Sequence, residues 1–137
     1  MIKKGFACSC FDLLHAGHVK MLQDARNQCD YLIVGLQTDP TVDRPDTKNK
    51  PIQTLEERQI MLSAVRFIDE IMIYDTEDDL YSYLKHNKPD VRILGSDYKD
   101  KYFTGDDLNI SIYYNDRFHN WSTTGLRKKI FEMESEK

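Results

Sequence analysis

The chain has 137 residues, 40% of them hydrophobic and 31% charged, with 6 Gly and 4 Pro; this composition excludes a disordered tail or a fibrous repeat and predicts one domain over residues 1–137, large enough to bury a core without metal or disulfide staples. Lys+Arg 19 against Asp+Glu 23 gives a formal charge of -4, which argues against a nucleic acid or an anionic membrane as the main partner but not against a small anion held by a few local cations. Three cysteines cannot all pair within one chain, and Cys8 and Cys10 lie too close together to close a useful loop, so free thiols in a reducing, cytoplasmic setting are expected, with Cys29 packing as a small hydrophobe.

From Met1 the chain reaches Asp12 before any apolar run long enough for a leader or a membrane span can develop. Gly5 to Cys10 reads as a short strand. Leu14, Val19, Met21, Leu22 and Ala25 then recur at helical spacing, predicting a helix over Ala16 to Gln28. Tyr31 to Leu36 is a continuous apolar run of the kind covered on both faces of a parallel sheet. Asp39 to Lys50, with two prolines, reads as a loop. Thr54 and Glu57 form a capping-box pattern, opening a helix that would carry Ile60, Met61, Ala64 and Val65 inward. Ile71 to Tyr74 predicts a strand, Asp79 to His86 a helix, Val91 to Leu94 a strand, Asn109 to Tyr114 a last strand, and Ser122 to Glu134 a last amphipathic helix. This alternation predicts an α/β Rossmann-like doubly wound, mostly parallel sheet with helices on both faces. Ligands of such sheets sit beyond the carboxyl ends of the strands, so polar residues collected there are the candidates for chemistry.

The densest group is Cys8-Ser9-Cys10-Phe11-Asp12-Leu13-Leu14-His15-Ala16-Gly17-His18, which leaves the first strand and enters the first helix. Two histidines three apart face the same way at a helix start, where unpaired amides and a partial positive charge suit a polyphosphate. Gly17 between them would let a ligand approach the backbone. Two other readings stay open: half-buried, hydrogen-bonded histidines, or a zinc site of Cys8, Cys10, His15 and His18, against which the two-residue cysteine spacing counts.

With Cys10-Phe11-Asp12-Leu13-Leu14 before it, His15-Ala16-Gly17-His18 resembles the HxGH signature of the cytidylyltransferase branch of the nucleotidylyltransferases. Arg117-Phe118-His119-Asn120-Trp121-Ser122-Thr123-Thr124 is similar to the second signature of that family, Arg-Thr-Glu-Gly-Ile-Ser-Thr-Thr or Ser, and follows in the same order. Thr38-Asp39, Glu57-Arg58, Arg66 to Glu70 and Gly95-Ser96-Asp97-Tyr98 extend the likeness over nearly the whole chain. In length and layout it looks most like the small bacterial glycerol-3-phosphate cytidylyltransferases. Gly95-Ser96-Asp97-Tyr98-Lys99 and the closing Ser-Thr-Thr are also similar to the heptose-phosphate adenylyltransferases. The chain departs from the pattern where Ser9-Cys10 replaces Gly-Thr and where His119-Asn120-Trp121 replaces Glu-Gly-Ile.

The resemblance implies transfer of CMP from CTP to a small phosphomonoester such as glycerol 3-phosphate, releasing pyrophosphate. His15 and His18 would meet the α-phosphate and bridging oxygen, while Arg117, Ser122 and Thr123 would hold the departing phosphates. Cys10, Phe11, Asp97 and Trp121 would line the nucleotide, and Asp12, Lys50, Arg58 and Arg66 would meet the acceptor. It further implies Mg²⁺ arriving with the triphosphate, no dedicated protein metal site, and a homodimer. More ordinary roles compete at single positions: a helix cap for Ser122, solvated charges for Arg117, Lys48 and Lys50, a turn residue for Asp97, and core packing for Trp121. The alternative functions are ATP-dependent adenylyl transfer to a sugar phosphate such as heptose 1-phosphate, or an inactive nucleotide- or zinc-binding module.

Overall fold

Five strands and four helices alternate in the computed structural model, which describes residues Met1–Lys137. In chain order these are β1 (Lys4–Ser9), α1 (Ala16–Arg26), β2 (Tyr31–Gln37), α2 (Leu55–Ser63), β3 (Glu70–Tyr74), α3 (Glu77–Asn87), β4 (Val91–Gly95), β5 (Ser111–Asn115) and α4 (Thr123–Ser135), with a 3₁₀ turn at Ser96–Tyr98. All neighbouring strands pair in parallel, in the order β3-β2-β1-β4-β5. The chain winds outward from β1 to β3 and then returns to lay β4 on the other side of β1. That reversal opens a crevice beyond the carboxyl ends of β1 and β4.

Alternation along the pleat divides the core in two. Ala7, Leu32, Val34, Leu36, Val91 and Ile93 pack with Leu22 and Ala25 of α1 and Leu62 of α2. Phe6, Ile33 and Tyr74 pack with Leu80 and Leu84 of α3. The expected α/β doubly wound sheet is therefore present, with all five strands parallel.

Several boundaries differ from the sequence expectation, each for a local reason. α3 begins two residues early because Thr76 and Asp79 form a second capping box, each side chain taking the other's backbone amide. β5 begins at Ser111, since Asn109 sits in the left-handed region with φ 57°. β1 stops at Ser9, leaving Cys10 in the loop. In α2 the inward face is not Ile60, Met61 and Ala64. Ile60 and Met61 are 61% and 43% exposed, and Arg58 and Leu62 are buried, with Leu55 and Val65 packed beside the core. α4 buries no residue completely, and its Ile130, Phe131 and Met133 remain exposed.

Arg58 explains the altered face of α2. Its guanidinium donates to the carbonyls of Cys10 at 3.0 Å, Gln37 at 2.7 Å, Thr38 at 2.6 Å and Gln53 at 3.2 Å. The expected acceptor contact gives way here to a structural role: Arg58 is 2% exposed and ties together the chain ends leaving β1 and β2. Replacing Arg58 by Met should lower unfolding free energy by about 3 kcal/mol, because several buried carbonyls lose a charged donor at once. Urea denaturation measures this; a loss below about 1 kcal/mol would mean that the guanidinium is dispensable to the scaffold.

Candidate active site

The loop from β1 into α1 is held in an unusual path. Phe11 and Leu13 both adopt positive φ, 52° and 51°, a conformation that costs non-glycine residues free energy and recurs where structure serves function. Asp12 between them locks the path. Its two carboxylate oxygens accept the amides of Ile52 at 2.9 Å and Gln53 at 3.0 Å. The Leu13 amide in turn donates to Gln53 Oε1 at 2.8 Å. Asp12 also faces α4: Thr123 Oγ1 donates to its carbonyl at 3.2 Å and Arg127 lies 3.9 Å from its carboxylate. The carboxylate expected to meet the acceptor is thus 7% exposed and serves as the scaffold's junction.

His15 and His18 replace the usual serine and glutamate of a capping box. His15 Nδ1 accepts the Gly17 amide at 3.0 Å, and His18 Nδ1 accepts the His15 amide at 3.2 Å. The rings stack with centroids 3.9 Å apart and planes at 27°. Backbone N–H groups can only donate, so both Nδ1 atoms must be unprotonated, and the proton of each neutral ring resides on Nε2. Burial, the neighbouring His15 and Arg117 depress His18 from 6.5 to about 4. His15 is lowered as well, by burial and by Arg117 and His119. At neutral pH the pair therefore presents two uncharged Nε2–H donors at a helix N-terminus, an arrangement that binds phosphate oxygens.

The far end of the chain closes over this pair. A Cβ on Gly17 would lie 2.9 Å from both His119 Cε1 and His15 Cε1. The absent side chain makes room for these two rings, rather than for a ligand as expected. His119 stacks on Trp121, centroids 4.7 Å apart, and accepts the Trp121 amide at 3.1 Å. Arg117 donates to the Trp121 carbonyl at 2.5 Å. Ser122 caps α4 by accepting the Gly125 amide at 2.9 Å, and its own hydroxyl proton makes no bond within the chain. The Thr123 hydroxyl proton is directed to Asp12, but the amides of Thr123 and Thr124 make no bond within the chain.

The remaining candidates divide clearly. Phe11 is 1% exposed, in the core behind His18 with ring centroids 5.4 Å apart, so it braces that histidine instead of touching nucleotide. Cys10 lines a cavity of about 380 Å³ beyond the strand ends, together with Met21, one turn after His18 on α1. Asp97 lies in the 3₁₀ turn after β4, folded back over Gly95, where a Cβ would meet its carboxylate at 2.5 Å. Trp121 is 47% exposed, which removes core packing as its role. It lines a groove of about 600 Å³ between α1 and β5, shared with Lys20, Asp24, Asn115 and His119. Lys50 stands exposed in the loop after β2. Arg66, over the Phe67 ring, is at the amino edge of the sheet; nearby Asp69 accepts the Leu32 amide at the start of β2. It is separated from the histidines by the length of the strands.

No set of three or more His, Cys, Asp or Glu side chains converges to hold a metal ion. Cys8 is half-buried beside Tyr74 and Arg92, and Cys10 Sγ lies 3.5 Å from Arg58, so the four proposed zinc ligands point to different neighbours. Mg²⁺ bound with a triphosphate would be held through phosphate oxygens and water. No helix is long and apolar enough to cross a membrane.

The depressed histidines make stability depend on pH. Because His18 is harder to protonate folded than unfolded, its contribution is complete above about pH 6.5 and is lost as pH falls toward 4. Histidine NMR titration should show both Nε2–H tautomers and a His18 midpoint near 4. An Nδ1–H tautomer on either ring, or a His18 midpoint above 6.5, would remove the reciprocal cap.

Residues 6–126 match the cytidylyltransferase-like family model. The chain is 39% identical over 131 residues to the bifunctional protein HldE of Campylobacter concisus, covering 96% of this chain and 28% of that protein. It is 38% identical over 125 residues to the bifunctional protein HldE of Wolinella succinogenes, covering 91% of this chain and 26% of that protein. It therefore spans little more than a quarter of these relatives. Among solved structures, the lipopolysaccharide core biosynthesis protein of Thermoplasma volcanium superposes with a TM-score of 0.67 at 24% identity, covering 89% of this chain and 100% of that one. Pantoate-beta-alanine ligase from Francisella tularensis superposes with a TM-score of 0.59 at 18% identity, covering 96% of this chain and 70% of that one. With the match to the family model spanning most of its length and both histidines of the signature at one helix start, this chain belongs to the cytidylyltransferase-like family of nucleotidyltransferases.

Proposed function

We propose that the chain transfers AMP from ATP to the phosphate of a sugar, a heptose 1-phosphate being the leading acceptor, and releases pyrophosphate. The observation that carries the transfer itself is the locked histidine pair, two preorganised donors on one helix N-terminus, with the start of α4 bonded to the same loop at Asp12. The choice of ATP and a sugar phosphate rests on the relatives and on the likeness of Gly95 to Lys99 to heptose-phosphate adenylyltransferases. It displaces CTP and glycerol 3-phosphate as the first reading.

In this reaction an acceptor phosphate oxygen attacks the α-phosphorus, forming a new P–O bond while the bond to the bridging oxygen breaks and pyrophosphate carries the electron pair away. The acceptor is already anionic, so no strong general base is needed; positioning and charge stabilisation supply the rate. His15 and His18 donate from Nε2 to the α-phosphate and bridging oxygen. Arg117, the Ser122 hydroxyl and the amides of Thr123 and Thr124 hold the departing phosphates. The nucleoside lies along the groove at Trp121, and the acceptor enters the cavity beyond the strand ends. Met21 borders both spaces, and His18 precedes it by one turn of α1; this supports a reading in which the histidines stand between the two substrates.

Pyrophosphate release, measured for four nucleoside triphosphates against heptose 1-phosphate, other sugar phosphates and glycerol 3-phosphate, should be fastest with ATP and the heptose. A maximum with CTP and glycerol 3-phosphate would restore the other assignment. His18→Gln keeps an acceptor for the His15 amide, since glutamine is a natural capping-box residue. It should fold normally yet lower kcat by about 100-fold, the scale for losing one preorganised donor. Near-normal turnover would take His18 out of the chemistry.

Trp121 gives a separate test of the nucleotide's position. Nucleotide titration should change its intrinsic fluorescence, an unambiguous signal because there is 1 Trp. Trp121→Ile should change the ATP:CTP ratio of kcat/KM by about tenfold, roughly 1.4 kcal/mol of differential transition-state binding. No fluorescence change and an unaltered ratio would place the base elsewhere.

A further inference from the structure

The cavity beyond β1 and β4 has a charge opposite to that of the chain as a whole. Arg44, Lys48 and Arg92 line it against a single carboxylate, Glu77. Arg44 engages Glu77 at 3.1 Å. Arg92, the second residue of β4, is 3% exposed and has no carboxylate within ion-pair distance. The neighbouring Cys8 thiol and Tyr74 phenol are kept protonated by burial and supply no counter-charge. One Arg92 nitrogen, Nη1, donates to the Thr104 carbonyl, and the guanidinium lies 5.3 Å from the Phe103 ring centroid. Nε has no hydrogen-bond partner, and besides the Nη1 bond the guanidinium meets only the neutral Cys8 thiol at its polar atoms. This is the edge of the guanidinium that forks onto carboxylates and phosphates. Arg44 Nε is likewise unpartnered. An apolar residue would suit the inner face of β4 beside Phe6 and Leu84, whereas an unpaired buried cation is costly unless an anion meets it.

We propose that Arg92 is the specificity-determining residue of the acceptor site, its Nε–Nη2 edge taking the phosphate of the sugar while Arg44 and Lys48 close on the same group from the loop after β2. Gln37 and Glu77, which line the same cavity, face the sugar hydroxyls. The proposal rests on the assignment of this cavity to the acceptor given above. A role confined to holding the loop at Thr104 is the competing account, and it makes a different prediction.

Inorganic phosphate, titrated calorimetrically into the full chain with a non-hydrolysable ATP analogue present, reads the subsite without turnover. The titration is run well below each variant's unfolding midpoint. Arg92→Met should weaken phosphate binding at least tenfold, and Lys48→Gln, at an exposed position, by a few-fold. Arg92→Lys keeps the charge without the fork and should fold even if Arg92→Met does not, with phosphate binding at least fivefold weaker. ATP-analogue affinity should stay within twofold in all three. Unchanged phosphate affinity in folded Arg92→Lys and Arg92→Met, with only a lowered Tm, would overturn the proposal in favour of a loop anchor. If the analogue fails to bind the wild-type chain while phosphate affinity still falls tenfold in Arg92→Met, the nucleotide reading fails and the anion subsite stands.

Discussion

The buried carboxylate of Asp12 is the junction through which the rest of the site is built. It satisfies the amides of Ile52 and Gln53, which fixes the approach to α2, and it faces Thr123 and Arg127, which docks α4. Those contacts also stabilise the two left-handed residues on either side of it. Removing water from a carboxylate is costly, and the cost is offset here by backbone amides that would otherwise be unpaired. Three remote stretches of chain are consequently held around the start of α1. Arg58 performs the complementary task one layer away, gathering carbonyls where Asp12 gathers amides.

On that platform the histidines act through geometry more than through charge. Each Nδ1 is occupied by a backbone amide, so each ring can offer only Nε2, and the orientation of the donor is fixed before any ligand arrives. Phe11 behind His18 and Gly17 beneath His119 set the ring positions by packing. In the proposed reaction, neutral donors suit a centre that would receive a highly charged triphosphate and later release pyrophosphate, because they favour oxygens without trapping the anion by full ionic attraction. Arg117, near enough to depress both histidines, supplies positive charge beside them.

The overall charge of -4 conceals a sharp local contrast. Arg44, Lys48 and Arg92 all line the strand-end cavity, and a cavity walled by protein focuses that potential where exposed surface charges would be screened. The chain thus remains acidic outside while offering cationic walls to a phosphorylated ligand. The same cavity carries Gln37, Glu77 and Thr104 for hydroxyl groups and Tyr98 and Phe103 as apolar walls, a combination suited to a polyol bearing a phosphate.

Much of this was legible in the residues alone. The alternation of strand and helix, the parallel sheet and the placement of His15, His18 and Ser122 at helix starts follow from hydrophobic period and capping chemistry, which act over a few neighbouring residues. The likeness of the two signatures identified the reaction class for the same reason, since both are contiguous. Tertiary contact decided which polar groups face a ligand and which hold the scaffold. Asp12, Phe11 and Arg58 carry ligand-binding residue types or signature positions, yet partners at Gln53, the core and Gln37 remove them from the cavity. Arg66 lies at the opposite edge of the sheet, because α2 carries the chain back along the strands before it is reached. Arg92 was invisible for the converse reason: in sequence it is one charged residue within Val91 to Leu94, and only the pleat, by turning it toward the cavity without a counter-charge, makes it a site. Local sequence determines backbone period and caps, whereas the desolvation and pairing of a charge depend on residues far apart in the chain, which meet only once the sheet has formed.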